Sequence, residues 1–421
     1  MPAAQLDLAR HGVGPRYRSE AETTVWRLNW PAEAYSAPPR SAGGRRATGW
    51  AHSTCRTGRF GLRRKFRLGR TDPREASFRQ RSARSRIRGG PDVAIGIQRV
   101  LVTGAAGKLG APLCEALVRE GYRVVGLCHR YAVGVSGVEE VQGDVADARL
   151  MDELVGQSDA VIHLATCKED REALIRVSVQ GTFNVLDAAM RTGRPRRVIL
   201  ASGDAVNGIY YRPQPVPIRE DMPLWAYPGY YPLSKVLEEA MFRQYYCQAG
   251  VPTVCLRISW IHAEDDILQH LTVAGEGFGV PVWRELMTPA QRELYASGRD
   301  AAVALRHPDG SPMRRHIVAV EDCVQAFLLA LRREGIEGET FMIAMNDPFD
   351  YVQAAEYVAK RLGIETLQLV DPVGQDFCID TTKARYVLGY RPQYDIFGLI
   401  DRAIEFRRSG RPRRQRSGYR G

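Results

Sequence analysis

Val100-Leu101-Val102-Thr103-Gly104-Ala105-Ala106-Gly107-Lys108-Leu109-Gly110 is the stretch on which the reading of this chain turns. A short apolar, β-prone run enters three glycines spaced three apart. An amphipathic pattern follows from Ala111 to Glu120 and stops at Gly121, as at a helix C-terminus. Strand, tight turn and helix opening are the context that a phosphate-cradling glycine turn requires. Gly104 allows the turn, Gly107 lets backbone approach a pyrophosphate, and Gly110 lets the helix pack closely on the strand. The free N–H groups and positive dipole end of the helix then suit phosphate. The turn therefore predicts a dinucleotide site built from Gly104, Ala106, Gly107, Lys108, Leu109 and Gly110.

Working outward, strand-like runs recur at Arg123–Leu127, Val138–Gln142, Ala160–Leu164, Arg197–Ala201 and Thr253–Ile258. Helical patterns lie at about Glu169–Met190 and Pro232–Gln248. Alternation of this kind predicts a parallel sheet covered on both faces, and continuous apolar strands fit that burial. The expected fold class is α/β, a Rossmann-type doubly wound sheet over residues 93–262. A smaller α/β substrate-binding part, with elements returning to the sheet, is expected over 263–406. The second strand ends in Leu127-Cys128-His129-Arg130. A carboxylate there would hold the ribose hydroxyls of NAD; His129 and Arg130 suit a 2′-phosphate instead, so NADP is favoured slightly over NAD.

The net charge of +11 is unevenly placed. Residues 1–92 carry 20 basic and 7 acidic groups, and residues 407–421 carry 7 arginines and no acid. Of 59 basic and 48 acidic groups, the body from 93 to 406 thus keeps 32 and 41, a net charge of −9. The arginine-rich residues 1–92 show no sustained period and read as disordered. Binding to nucleic acid and a transit peptide are two further readings. The reading preferred here is a translated stretch ahead of a true start near Val93. Residues 407–421 read as a basic disordered tail. Nucleic acid is not the expected partner of the acidic body. No apolar run approaches the roughly 20 residues of a membrane span. Eight scattered cysteines without a C-x-x-C spacing suit a reduced, cytoplasmic protein. His262, His270 and His307 lack a ligand-like spacing, so no metal is expected.

From Arg99 to Arg408 the chain resembles the extended short-chain dehydrogenase/reductase family, also described as NAD-dependent epimerase/dehydratase. The motifs that carry the resemblance occur in order. Thr103–Gly110 is similar to its TGxxGxxG. Gly143-Asp144-Val145 resembles its adenine-contacting segment, and His163-Leu164-Ala165 a segment flanking the cofactor. Val179–Leu186 resembles its central helix and Tyr231-Pro232-Leu233-Ser234-Lys235 its YxxxK. Arg315–Asp322 and Leu388–Pro392 resemble two late motifs. The resemblance implies that Asp144, Val145, Leu164, Ala165 and Lys235 join the cofactor site and that Tyr231 and Lys235 are catalytic. On a helix, residues four apart share a face, and an ammonium beside a phenol favours the phenolate.

The departures concern the oxygen-binding group. Aligned on Val206 and Gly208, the position of the family's Ser or Thr holds Gly203, so the adjacent Ser202 is the expected substitute. Ser178 stands where the central helix often has Asn. Asp204 keeps one acid of the dehydratase Thr-Asp-Glu, but Ala205 replaces the other, which disfavours elimination. Asp204 and Arg315 are the expected substrate contacts, Arg315 through a diphosphate. The implied function is NAD(P)-dependent oxidoreduction or epimerisation of a sugar, nucleotide-sugar or similar secondary alcohol in a homodimer. The alternative is a catalytically weak NAD(P)-binding sensor or scaffold.

Overall fold

A computed structural model describes residues 96–208, 217–275 and 282–414. The readings made of residues 1–92, and of a start near Val93, fall outside this range. Seven strands form one parallel sheet in the order β11-β6-β5-β4-β1-β2-β3. They are β1 Arg99–Thr103, β2 Arg123–Cys128, β3 Val138–Gln142, β4 Ala160–His163, β5 Arg197–Gly203, β6 Thr253–Ile258 and β11 Thr340–Ile343. Every strand the pattern predicted is present, within a residue or two at its ends. The order reverses between β1 and β4, and such a switch point opens a crevice at the carboxyl ends of the strands. Helix α1 (Gly110–Arg119) follows the glycine turn. Helix α2 (Ala148–Gly156) was not foreseen, although Asp147 caps its start by accepting from the N–H groups of Arg149 and Leu150.

The predicted 169–190 helix forms in three stretches: Arg171–Ala173, a π-helical Leu174–Gly181, and α3 Thr182–Thr192. A π-helical stretch puts an extra residue into a turn, a feature common at functional sites. Helix α4, Tyr230–Ala249, carries the Tyr–Lys motif and ends in left-handed Gly250. Beyond β6 come β7 (Trp260–His262) and α5 (Asp266–Leu271), then α6 (Pro289–Tyr295) and β8 (Ala301–Arg306). Strands β9 (Arg314–Arg315) and β10 (Ile317–Ala319) lead into α7 (Val320–Arg332). After β11 come β12 (Phe349–Asp350), α8 (Tyr351–Leu362), β13 (Glu365–Val370) and α9 (Ile396–Arg408).

The part after 263 has its own core, in which β8 pairs in parallel with β13 beneath α8. It also completes the larger sheet, because β11 pairs with β6 and the core around α1 includes Val320, Phe327 and Phe341. Residues 407–414, the described part of the expected basic tail, depart from expectation, and 415–421 lie outside the described residues. Helix α9 runs through Arg407 to Arg408, and residues to 414 lie on the body. Arg407 and Arg413 pair with Asp265, and Arg414 pairs with Glu115 at 2.9 Å. Acidic groups on the body and arginines on the tail are attracted, which a pattern-based reading of disorder cannot register.

Candidate active site

The glycine turn is as tight as its composition implies. Gly104 has φ +66° and accepts the N–H of Gly107 at 3.0 Å. A Cβ on Gly104 would stand 2.8 Å from the Ala165 nitrogen, so the turn lies directly against the segment after β4. A Cβ on Gly110 would stand 2.4 Å from the Gly104 oxygen. No side chain caps the start of α1, and no acid occupies its first turn. A dinucleotide's phosphates fit this cradle: three positions without Cβ, backbone N–H donors and a positive helix end. Leu164 and Ala165 donate their N–H groups to Thr103 Oγ1 at 3.1 and 3.2 Å. That hydroxyl in turn meets His163 Nδ1 at 2.8 Å, while His163 Nε2 lies 3.0 Å from Thr182 Oγ1. Burial lowers the His163 pKa to about 3, so the ring stays neutral as a brace under the cleft. Lys108 offers only backbone to a cofactor. Its ammonium pairs with Asp266 at 2.8 Å and donates to the Ile261 carbonyl.

At the end of β2, His129 and Arg130 are exposed. Asp144 lies beside them, with His129 Nε2 at 3.8 Å, and pairs with Arg176 from the π-helical stretch. The Val145 carbonyl accepts from Asn184 Nδ2 at 3.0 Å. Gly181 faces Val145 closely enough that a Cβ there would stand 2.5 Å from Val145 Cγ2. The central helix thus holds the Asp144-Val145 segment against the cleft.

Helix α4 starts beside that cleft. Glu169, from the loop after β4, accepts the N–H groups of Tyr230 at 2.7 Å and Tyr231 at 3.4 Å. Nothing in the sequence marked Glu169 for this role. A Cβ on Gly203 would stand 3.2 Å from the Tyr231 hydroxyl, so the glycine is the residue facing the phenol. Ser202, the expected substitute, does not reach it: its hydroxyl donates to Glu239. Adjacent strand residues point to opposite sides, and Ser202 is spent on the buried Glu239–Arg257 pair. Lys235 is buried, donating to the Ala201 carbonyl and to Glu238 Oε2, each at 2.8 Å.

Asp204 follows Gly203 at the top of β5. It is buried and accepts from Ser259 Oγ at 3.0 Å. Burial pushes its pKa up to about 7, against the pull of Ser259 and Arg315. The Arg315 guanidinium stands 5.6, 5.9 and 5.8 Å from the ring centres of Trp260, Tyr351 and Phe377. The structure therefore brings Asp204 and Arg315 into one polar corner, walled by aromatic rings. His262 and His270 come together there, 5.8 Å apart, as part of the aromatic packing. His307 instead meets Asp376 at 2.8 Å, on the carboxylate that also accepts the N–H of Arg314. Among the described residues no group of three or more His, Cys, Asp or Glu is placed to hold a metal.

The model of the NAD dependent epimerase/dehydratase family matches residues 100–344, more than half of the chain. A uronate dehydrogenase of Pseudomonas syringae pv. tomato is 36% identical over 169 residues, 38% of this chain. A second one, of Agrobacterium fabrum, is 32% identical over 167 residues. The chain spans 58% and 61% of the lengths of these two relatives. A UDP-glucose 4-epimerase of Azospirillum brasilense is 28% identical, with 74% of this chain and 92% of its own covered. Among solved structures, a short-chain dehydrogenase/reductase superfamily protein from Agrobacterium tumefaciens with bound NAD superposes with a TM-score of 0.64. The identity is 25%, over 74% of this chain and 98% of that one. With the glycine turn, the switch-point cleft and the Tyr–Lys helix in their places, this chain belongs to the NAD-dependent epimerase/dehydratase family of extended short-chain dehydrogenases/reductases.

Proposed function

We propose that this protein is an NAD(P)-dependent oxidoreductase or epimerase acting on a secondary alcohol of a sugar or nucleotide-sugar. The observation that carries the reading is the Tyr231 hydroxyl placed over Gly203, with Lys235 one helical turn on, at the carboxyl edge of the sheet. Tyr231 takes the proton of the substrate hydroxyl, or returns it to a carbonyl oxygen. A nicotinamide dinucleotide, when bound, accepts or supplies the hydride. Gly107 admits its phosphates while Gly104 and Gly110 let the turn close tightly, Asp144 and Val145 border its adenine, and Leu164 and Ala165 line its path. Lys235 is placed to add a ribose contact to the two hydrogen bonds it already makes. Asp204 and Arg315 bind the far end of the substrate. An arginine fork in an aromatic box suits a carboxylate or phosphate, which favours an acidic sugar or a nucleotide-sugar.

His129 and Arg130, exposed where β2 ends without an acidic residue of its own, support a slight preference for NADP, with Asp144 facing His129 from the segment after β3. A homodimer is supported by exposed apolar side chains on neighbouring helices: Ile175, Phe183 and Met190 on one, Leu233 and Tyr246 on α4. Seven described cysteines are free thiols, which fits the cytoplasm, and no helix among the described residues is long and apolar enough to cross a membrane. The relatives named above are called enzymes, and none supports the sensor reading. The test is turnover of uronic acids, aldoses and UDP-sugars with NAD and with NADP, for the wild type and Tyr231→Phe. The expected loss in the variant is about 10²- to 10⁴-fold in kcat. A folded Tyr231→Phe protein with wild-type turnover overturns the proposal.

A further inference from the structure

Tyr231 lies among more charges than the Tyr–Lys motif supplies. The Lys168 ammonium is 4.8 Å from the centre of its ring, closer than the Lys235 ammonium at 5.9 Å. Lys235 is 2% exposed and pairs at 2.8 Å with Glu238, which is fully buried. Glu238 Oε1 lies 3.4 Å from Thr166 Oγ1, and Ser178 also bonds this carboxylate. A buried carboxylate in contact with an ammonium cancels much of its field at a third group. The motif lysine is thus held in a buried pair with Glu238, whose acidity burial weakens, while Lys168 faces the tyrosine from the loop after β4.

The remaining charges nearby are otherwise engaged. Glu169 accepts the N–H groups at the start of α4 and is itself under the charge of Lys168, so both lysines near Tyr231 have a carboxylate neighbour. Glu239 is held by Arg257. His163 stays neutral, and burial keeps the Cys167 thiol protonated. Asp204 is held by Ser259, and both it and Glu169 act on Tyr227. Gly203, meanwhile, offers no hydroxyl to the reacting oxygen.

We propose that Lys168 is a further positioning residue for the proton transfer: its ammonium, set against the Tyr231 ring, promotes ionisation of that phenol. Glu238 is then a positioning residue that fixes Lys235 and offsets its charge. The inference deepens the reading of Tyr231 as the proton-transfer group and rests on it.

The test is the ionisation of Tyr231 in the full chain, followed by NMR of isotope-labelled tyrosine, with the signal assigned by its loss in Tyr231→Phe. Lys168→Met is expected to raise the titration midpoint by about one pH unit. Lys168→Arg is expected to restore most of it. Glu238→Gln is expected to lower the midpoint, because the carboxylate that opposes the phenolate is gone. With any alcohol oxidised, where Tyr231 acts as the base, Lys168→Met should lower kcat/KM most on the acid side of the profile. An unmoved midpoint in Lys168→Met overturns the proposal. So does a rise in Glu238→Gln. Lys168 is partly exposed, so its variants test the idea even where Glu238→Gln fails to fold. The titration needs no turnover, so a failure of the proposed function, read from active Tyr231→Phe, is distinguishable from a failure here.

Discussion

Two glycines of one turn should respond to the same substitution in opposite ways. A Cβ at Gly110 meets the Gly104 oxygen at 2.4 Å, the Ala105 oxygen at 2.5 Å and the Ala105 carbon at 2.7 Å. All three are backbone atoms of the turn itself, with no rotamer to yield. Forcing a methyl into such a space costs about 1–3 kcal/mol, and the gain of about 1 kcal/mol from alanine in a helix offsets only part of it. A Cβ at Gly107 meets one atom, the Gly104 oxygen at 3.1 Å, and otherwise points into the cleft. Gly107→Ala should therefore melt within a degree or two of the wild type, whereas Gly110→Ala should lose on the order of 5 °C. With dinucleotide the ranking changes. Ligand at about 100 times its Kd stabilises the wild type by about 2.7 kcal/mol. Gly107→Ala should forfeit much of that, because its methyl occupies the approach of the pyrophosphate. Tenfold weaker binding corresponds to about 1.4 kcal/mol. Thermal melts with and without NADH and NADPH, joined to titration calorimetry, measure both effects. A Gly107→Ala protein that gains as much from dinucleotide as the wild type would refute the placement of the phosphates. A Gly110→Ala protein as stable as the wild type would refute the packing argument.

Glu239→Ala strands the buried Arg257 guanidinium and removes the acceptor of Ser202, so a loss of about 3–5 kcal/mol is expected in denaturant unfolding. A loss below about 1 kcal/mol would mean that the pair is solvated. Asp204 has a pKa of about 7 against an ordinary 3.8. Its folded state favours the protonated acid, so its stabilising contribution is complete below about pH 4 and is lost as pH rises through 7. Asp204→Asn should therefore gain stability relative to the wild type between those limits, seen as diverging unfolding midpoints. Parallel curves for the two proteins would sink the assignment.

Much of the architecture was legible before any coordinates. The inner strands β1, β2, β4, β5 and β6 are largely apolar because both faces of a parallel sheet are covered, whereas the edge strand β3, with Glu139 and Glu140, is not. Helix α2 escaped notice because it is short, although its Asp147 cap and following apolar residues were a usable signal. Gly203 was correctly placed opposite Tyr231 by counting from Val206 and Gly208. Ser202 was not, because a one-residue step along a strand turns the side chain to the other face. The tail arginines looked disordered, since their partners Asp265 and Glu115 stand far from them in sequence.

The sequence by itself determined the glycine turn, the alternation of strands with helices and the Tyr231–Lys235 spacing, because each rests on residues that are near neighbours in the chain. Only the tertiary structure decided the charge around Tyr231. Lys168 and Glu169 come from the loop after β4, Gly203 from β5, and Glu238 meets Ser178 and Thr166 across 60 to 72 positions of chain. Electrostatic fields act through space, and no local pattern records which charges will share a buried site.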